Sequence, residues 1–386
     1  MDPHEGVAAH AEVCAKDQAE GSPQLDLPPL RRKEWHGFQP TLTRIQGVLR
    51  RLGHPERAVE TILVGGTNGK GTVSCGLARA WGSGTGCFTS PHLIDVRERV
   101  TIDGTMLPVA AWQRAYDELH KKLEDNELSY FEWLLVLALH LFRAEGIQRA
   151  VFELGLGGRL DATNSLDPRA SLLCSVELDH CEWLGHTREA IALEKIEIAR
   201  AGRPFIAPAY LADWSSVVQR MHAMGCHWQP VPLPRPTRYH HNLLTLQKAC
   251  AVLGFHQPEA LPAMPGRRME LRPGLLLDGA HNPMGWQDLA AFIGERGMAP
   301  IRILAGLSEP RSPAQFLEIM RPVARSISVW PTGFDRELPG AAWPSEVSVV
   351  DEVTWRGWLE EPLLVCGSLY LVGAFLRAFG YQPSGW

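Results

Sequence analysis

Residues Thr61–Cys75 read TILVGGTNGKGTVSC. An apolar run stops at two glycines, and Thr67, Asn68, Gly69, Lys70, Gly71 and Thr72 follow. A strand that ends in glycines, with Lys and Thr opening a helix, presents backbone N–H groups to an anion, and the helix dipole adds positive potential there. Lys70 can reach the β- and γ-phosphates of a nucleotide, and Thr72 or a nearby hydroxyl can approach Mg²⁺. A glycine follows Lys70 where the common phosphate loop has Ser or Thr. The order strand, glycines, Lys, Thr, helix still predicts nucleotide binding.

Outward from this loop, short apolar runs alternate with helical stretches from about 41 to 203. ETILVGG (60–66), GCFTS (86–90), RAVFELG (149–155), ASLLCSVE (170–177) and PFIAP (204–208) read as strands. GTVSCGLARAW (71–81), YFEWLLVLALHLFRAEG (130–146) and TREAIALEKIEIARAG (187–202) read as helices. Buried, non-alternating strands separated by helices predict an α/β fold with a parallel sheet covered on both faces. QPVPLPRPTRY (229–239) carries four prolines and reads as a stiff linker. Beyond it, a helix and the runs GLLLDGAHNP, IRILAGLSE, SISVWP and PLLVCGSLYLVGAFLRAFG predict a second, smaller α/β unit. The expected divisions are a mobile extension over 1–37, a nucleotide-binding domain over 38–228, the linker at 229–239, and a C-terminal domain over 240–386.

A chain of 386 residues is long enough for two or three domains. The formal net charge of −5, with no long block of one sign, argues against nucleic acid as a partner. The longest apolar run, WLLVLALHLF at 133–142, is too short to span a membrane. None of the eight cysteines forms a C-x-x-C pair and no secretory signal is evident, so they read as reduced thiols of a cytoplasmic enzyme.

Other motifs carry candidate chemistry. In VFELGLGGRLDATN (151–164), Glu153 ends a buried strand and points into the usual ligand crevice of such sheets, as a Mg²⁺ ligand opposite the phosphate loop. SVELDHCEWLG (175–185) places Asp179 and His180 beyond another strand, with His180 as a candidate ligand. Lys195, on a helix, reads from its own pattern as solvent-facing. In the second unit, Arg267 suits a phosphate, Asp278 a ribose hydroxyl or the metal shell, and His281 an adenine or phosphate edge.

Taken in order, GGTNGKGT, TSPHL, SYFEW, ELGLGGRLDATN, LDHCEWLG, EKIEIARAG, GRRME, DGAHNP and CGSLYLVG resemble the folylpolyglutamate synthase/dihydrofolate synthase family of the Mur ligase superfamily, from about residue 38 to 380. The resemblance implies a Mur-ligase-like fold, a phosphate-loop ATPase domain followed by a smaller Rossmann-like domain. It implies an ATP-dependent amide ligase joining L-glutamate to a pterin acid or folate through an acyl phosphate. By this likeness Thr67, Asn68, Gly69, Lys70, Gly71, Thr72, Asn242, Arg267, Asp278 and His281 bind ATP. Ser90, Glu153 and His180 hold one or two Mg²⁺ ions, and Lys195 is carried as an N6-carboxylysine that bridges to metal. Ser129, Tyr130, Phe131 and Glu132, with Leu160, Asp161 and Ala162, match the pterin pocket. Lys70, Lys195 and His180 are the expected catalytic groups, and the resemblance implies a monomer.

The segment QPTLTRI (39–45) departs from the family's LGLER pattern, lacking its glycine and glutamate. EKIEI stands where the family has EKAGI. A sister ligase acting on a non-folate acid is therefore an alternative. A non-catalytic nucleotide-binding protein is another, against which the joint retention of Lys70, Ser90, Glu153 and His180 argues.

Overall fold

A computed structural model describes residues 25, 27–31, 41–232, 238–334, 336–383 and 385. Two sheets organise the chain. The first contains β1 (Glu60–Gly65), β2 (Thr85–Phe88), β3 (Val100–Ile102), β4 (Thr105–Met106), β5 (Arg149–Glu153), β6 (Ala170–Leu173), β7 (Pro204–Pro208) and β8 (His227–Val231). Its order is β4-β3-β2-β5-β1-β6-β7-β8, parallel from β2 to β8, with β3 and β4 antiparallel at one edge. The second contains β9 (Met269–Arg272), β10 (Leu275–Asp278), β11 (Ile301–Ala305), β12 (Ala324–Val329), β13 (Ser348–Val349) and β14 (Leu363–Cys366). Its order is β13-β12-β11-β14-β10-β9, with only β9 antiparallel.

Both faces of the central strands are buried, which is why they show no polar alternation. Ile62 and Val64 of β1 pack under the helix Lys70–Trp81 through Val73 and Leu77. Leu63 faces the other way, into a core with Phe88, Phe152 and the helix Tyr130–Ala144, whose Trp133 and Leu137 are fully buried. The second sheet repeats the arrangement. Leu276, Ile303 and Leu364 face Trp286 and Phe316, while Leu275, Leu304 and Val365 face Leu371 and Phe375 of the helix Leu369–Phe379.

Several boundaries differ from the sequence expectation. His227–Val231, placed partly in the linker, pairs with β7 as an edge strand. The helix Arg238–Leu253, assigned to the second unit, packs on the first through Leu246 and Ala249. Of the expected mobile extension, Leu27 is buried in the first core, Leu25 packs partly buried against it, and Pro28–Arg31 forms a short 3-10 helix; the rest of 1–37 lies outside the described residues, as do 39–40 of QPTLTRI. The hairpin β3–β4 is too short to leave a periodic signal. The helix expected over 187–202 spans only Arg188–Ile196. There the Glu194 carbonyl accepts the N–H of Arg159, and the Arg200 guanidinium donates to the carbonyls of Glu197, Ile198 and Ala199. Those acceptors are satisfied without another helical turn. Among the described residues, no helix is long and apolar enough to cross a membrane.

Candidate active site

The loops that leave the C-terminal ends of β1, β2, β5 and β6 converge. β5 and β6 flank β1 on opposite sides, so the chain order reverses at the strand that feeds the phosphate loop, and such a switch point opens a crevice. Gly66–Gly69 runs beside residues 174–177. The N–H of Thr67 donates to the Ser175 carbonyl at 2.9 Å, and Asn68 N–H donates to Ser175 Oγ at 2.9 Å. Gly69, at φ 88°, occupies the left-handed region, and a Cβ there would lie 2.0 Å from Asn242 Oδ1. Glycine is thus required twice, by backbone conformation and by the Asn242 amide lying over the loop. Lys70 and Thr72 stand half-buried on the first helical turn.

Gly71 gives Glu153 room, since a Cβ at Gly71 would lie 3.3 Å from Glu153 Oε2. That carboxylate is buried and accepts the Ser90 N–H at 2.8 Å. Burial raises its pKa, opposed by Lys70, the Ser90 N–H, Arg267 and Arg99. His180 sits in the left-handed region at φ 49°. Burial lowers its pKa against the pull of Asp179. Lys195, expected from its own pattern to face solvent, is only 4% exposed. Its Nζ lies 3.4 Å from the Gly66 carbonyl. Burial, with Lys70 nearby, pushes its pKa down to about 7. Gly158 makes this approach possible: a Cβ there would meet the Glu194 carbonyl oxygen at 2.4 Å.

The second unit closes the crevice. Asn282 Nδ2 donates to Asn68 Oδ1 at 3.0 Å, an amide contact between two buried side chains of the two units. Arg267 donates to the Gly279 carbonyl at 3.2 Å, and His281 Nδ1 lies 3.0 Å from the same carbonyl. Asp278 is fully buried and accepts the N–H groups of Arg268 and Ala280 at 2.8 and 2.7 Å. Its carboxylate braces the loop that carries Arg267 and His281.

In the expected acid pocket, Ser129 caps the helix Tyr130–Ala144 in a reciprocal capping box with Glu132. Glu132 Oε2 also accepts Arg44 Nε at 2.7 Å. Asp161 accepts the N–H groups of Thr163 and Leu156 at 2.9 and 2.8 Å. Ala162 is buried and Leu160 half-buried on the same loop. Tyr130 lies under the Arg99 guanidinium, 5.3 Å from its ring centre. The half-buried Phe131 ring abuts Gly155, where a Cβ would come within 3.0 Å. The sequence reading passed over Arg44, Arg99, Asn282 and Arg311. Only position signalled Arg311, since it follows a buried parallel strand.

Among the described residues, no three His, Cys, Asp or Glu side chains stand together as a ready-made metal centre. The donors present are a buried carboxylate at the foot of the phosphate loop, Ser90 beside it, and the imidazole of His180. They suit a hard divalent cation whose shell is completed by phosphate oxygens and water.

No family model matches the chain. It is 30% identical to the dihydrofolate synthase/folylpolyglutamate synthase of Escherichia coli, over 89% of this chain and 92% of that protein. It is 27% identical to the folylpolyglutamate synthase of Lacticaseibacillus casei, over 86% and 92%. The structure of E. coli FolC in complex with DHPP and ADP superposes with a TM-score of 0.78 at 27% identity, covering 93% of this chain and 99% of that one. A bifunctional synthase from Yersinia pestis, complexed with AMPPNP and Mn, superposes at 0.77 and 26% identity, covering 93% and 100%. With a fold shared over nearly its whole length, the chain belongs to the dihydrofolate synthase/folylpolyglutamate synthase family.

Proposed function

We propose that this chain is an ATP-dependent ligase that joins L-glutamate to dihydropteroate and to reduced folates through an acyl phosphate. The observation that carries the reading is the meeting of two units over one phosphate loop. Lys70 and Glu153 stand on the first side, Arg267, His281 and Asn282 on the second, and the Asn68–Asn282 contact spans the seam. The corresponding division of the chain falls between Leu253 and Arg267, later than the Pro-rich stretch.

A carboxylate resists attack by an amine because its oxygen leaves poorly. Transfer of the γ-phosphoryl group from ATP gives an acyl phosphate; the glutamate amine then attacks its carbonyl carbon, loses a proton, and phosphate departs. In this reading the N–H groups of Gly69–Gly71 and the Lys70 ammonium hold the phosphates and offset charge that develops on the transferring group, while the N–H groups of Thr67 and Asn68 brace the loop against Ser175. Asn242, lying over the loop on the first unit, and Arg267, from the second, grip the nucleotide. Glu153, Ser90 and His180 would hold Mg²⁺, which supplies charge neutralisation at the phosphates. Closure of the second unit keeps water from the acyl phosphate.

Burial of Lys195 supports its carboxylation. With a pKa near 7, much of the side chain is a neutral amine, the form that attacks CO₂ and releases a proton to give a carbamate. The ligase works as a cytoplasmic monomer in this reading. A second reading, a sister ligase for a non-folate acid, is favoured by Glu132 and Asp161, whose carboxylates already accept bonds from within the chain.

The deciding experiment incubates the protein with Mg-ATP, glutamate and either dihydropteroate or tetrahydrofolate, with products read by mass spectrometry. One glutamate added to dihydropteroate, or added to the reduced folate, supports the first reading. ATP turnover only with other acids moves the assignment to the sister ligase.

A further inference from the structure

Asp179 follows β6 and is 5% exposed, yet the phosphate chemistry gives it no task. Its Oδ1 accepts two donors. One is the N–H of the next residue, His180, at 2.9 Å. The other is the Arg311 guanidinium at 2.6 Å, which arrives from the loop after β11 in the second unit. His180 holds φ 49° and ψ 43°, a left-handed conformation that is strained for a non-glycine residue unless its surroundings hold it. The carboxylate of Asp179 supplies such a hold by tying down the N–H of that residue. The grip on the His180 backbone and the grip of the second unit therefore fall on one oxygen atom. Two further approaches lie on the same seam: His281 Nε2 is 3.9 Å from Asp179 Oδ2, and Arg336 is 3.8 Å from Glu182.

We propose that Asp179 is a positioning residue that couples closure of the second unit to the pose of His180. With the units together, Arg311 fixes the carboxylate, the carboxylate fixes the left-handed turn, and His180 presents its imidazole to the cation. When the second unit withdraws, Arg311 leaves, the carboxylate turns to water, and the strained turn relaxes. The cation-holding set is then complete only in the closed enzyme, so phosphoryl transfer waits for closure. This inference rests on the ligase reading of the site.

The test measures Mn²⁺ binding by the electron paramagnetic resonance signal of free Mn²⁺, with ADP present and no amino acid or folate. Wild type is compared with Arg311→Ala, Arg311→Lys, Asp179→Asn and the double variant Asp179→Asn/Arg311→Ala, with circular dichroism to verify folding. Arg311→Ala and Asp179→Asn are each expected to weaken Mn²⁺ binding about tenfold. The double variant should be no weaker than the worse single, because both act through one contact chain. Arg311→Lys should recover much of the loss. Should Asp179→Asn fail to fold, Arg311→Ala and its Lys rescue decide alone, since Arg311 lies on a loop. Unchanged Mn²⁺ affinity in Arg311→Ala overturns the proposal, and is the result expected if Arg311 serves only to hold an incoming substrate. Multiplying losses in the double variant overturn it as well. Failure of the wild type to bind Mn²⁺ with ADP would instead remove the ligase reading, and the proposal with it.

Discussion

Replacing Lys195 by Met separates the cost of a buried amine from its use. Lys195 is 4% exposed, and burial pushes its pKa from 10.5 down to about 7. Between those values the unfolded chain holds a proton that the folded chain has shed, so stability falls as the pH falls through this window and levels off below it. At about 1.4 kcal/mol per unit, and allowing for partial protonation near the folded pKa, moving from about pH 9 to about pH 7 costs about 2 kcal/mol. Methionine does not titrate, so Lys195→Met lacks this drop; His180 and Cys174, which feel the Lys195 charge, shift only as far as that charge contributes. The assay is urea unfolding at both pH values, in CO₂-free buffer with chelator, comparing midpoints at a common slope. The wild type should lose about 2 kcal/mol relative to the variant. Losses equal within about 0.5 kcal/mol would refute an amine shifted by burial. Adding bicarbonate should then stabilise the wild type and leave the variant unmoved, because only the amine can bind CO₂.

Three further outcomes follow from the geometry. Gly69→Ala sets a Cβ 2.0 Å from Asn242 Oδ1 on a backbone at φ 88°, so nucleotide affinity by calorimetry should fall at least tenfold. Gly158→Ala drives a methyl to 2.4 Å from the Glu194 carbonyl, backbone that cannot rotate away. Overpacking of this kind costs about 1–3 kcal/mol in urea unfolding, and turnover should fall further because the Lys195 segment moves. Arg44→Ala leaves Glu132, with a side chain 4% exposed, without its guanidinium partner. A loss of about 2 kcal/mol is expected, and Arg44→Ala/Glu132→Gln should recover part of it.

The sequence was most legible where a local rule sufficed. The turn from β1 into the helix Lys70–Trp81 needs glycine where φ is positive and an apolar run before it, and both are written in TILVGGTNGKGT. Strands buried on both faces, such as β5 and β7, showed as unbroken apolar runs. The order of motifs sufficed to name the family. What failed were features set by partners far along the chain. Beyond Ile196 the expected helix does not continue: the Arg159 N–H takes the Glu194 carbonyl and the Arg200 guanidinium takes those of Glu197, Ile198 and Ala199, and no pattern within the helix records that. The helix Arg238–Leu253 follows a Pro-rich stretch, but which sheet it covers was decided by Leu246 fitting against Gly76.

The candidate site divides the same way. Sequence by itself supplied the groups of the proposed chemistry: a glycine-rich loop with Lys70, a strand-end carboxylate at Glu153, an imidazole at His180. Tertiary structure alone decided which of these are buried and what they face. Lys195 looks like a surface lysine because its helix is amphipathic, and it becomes a buried amine only when Gly158 lets another loop lie against its backbone. Arg311 lies 132 residues from Asp179 in the chain. Charge and burial are properties of what surrounds an atom, and those surroundings come from strands that only the fold brings together.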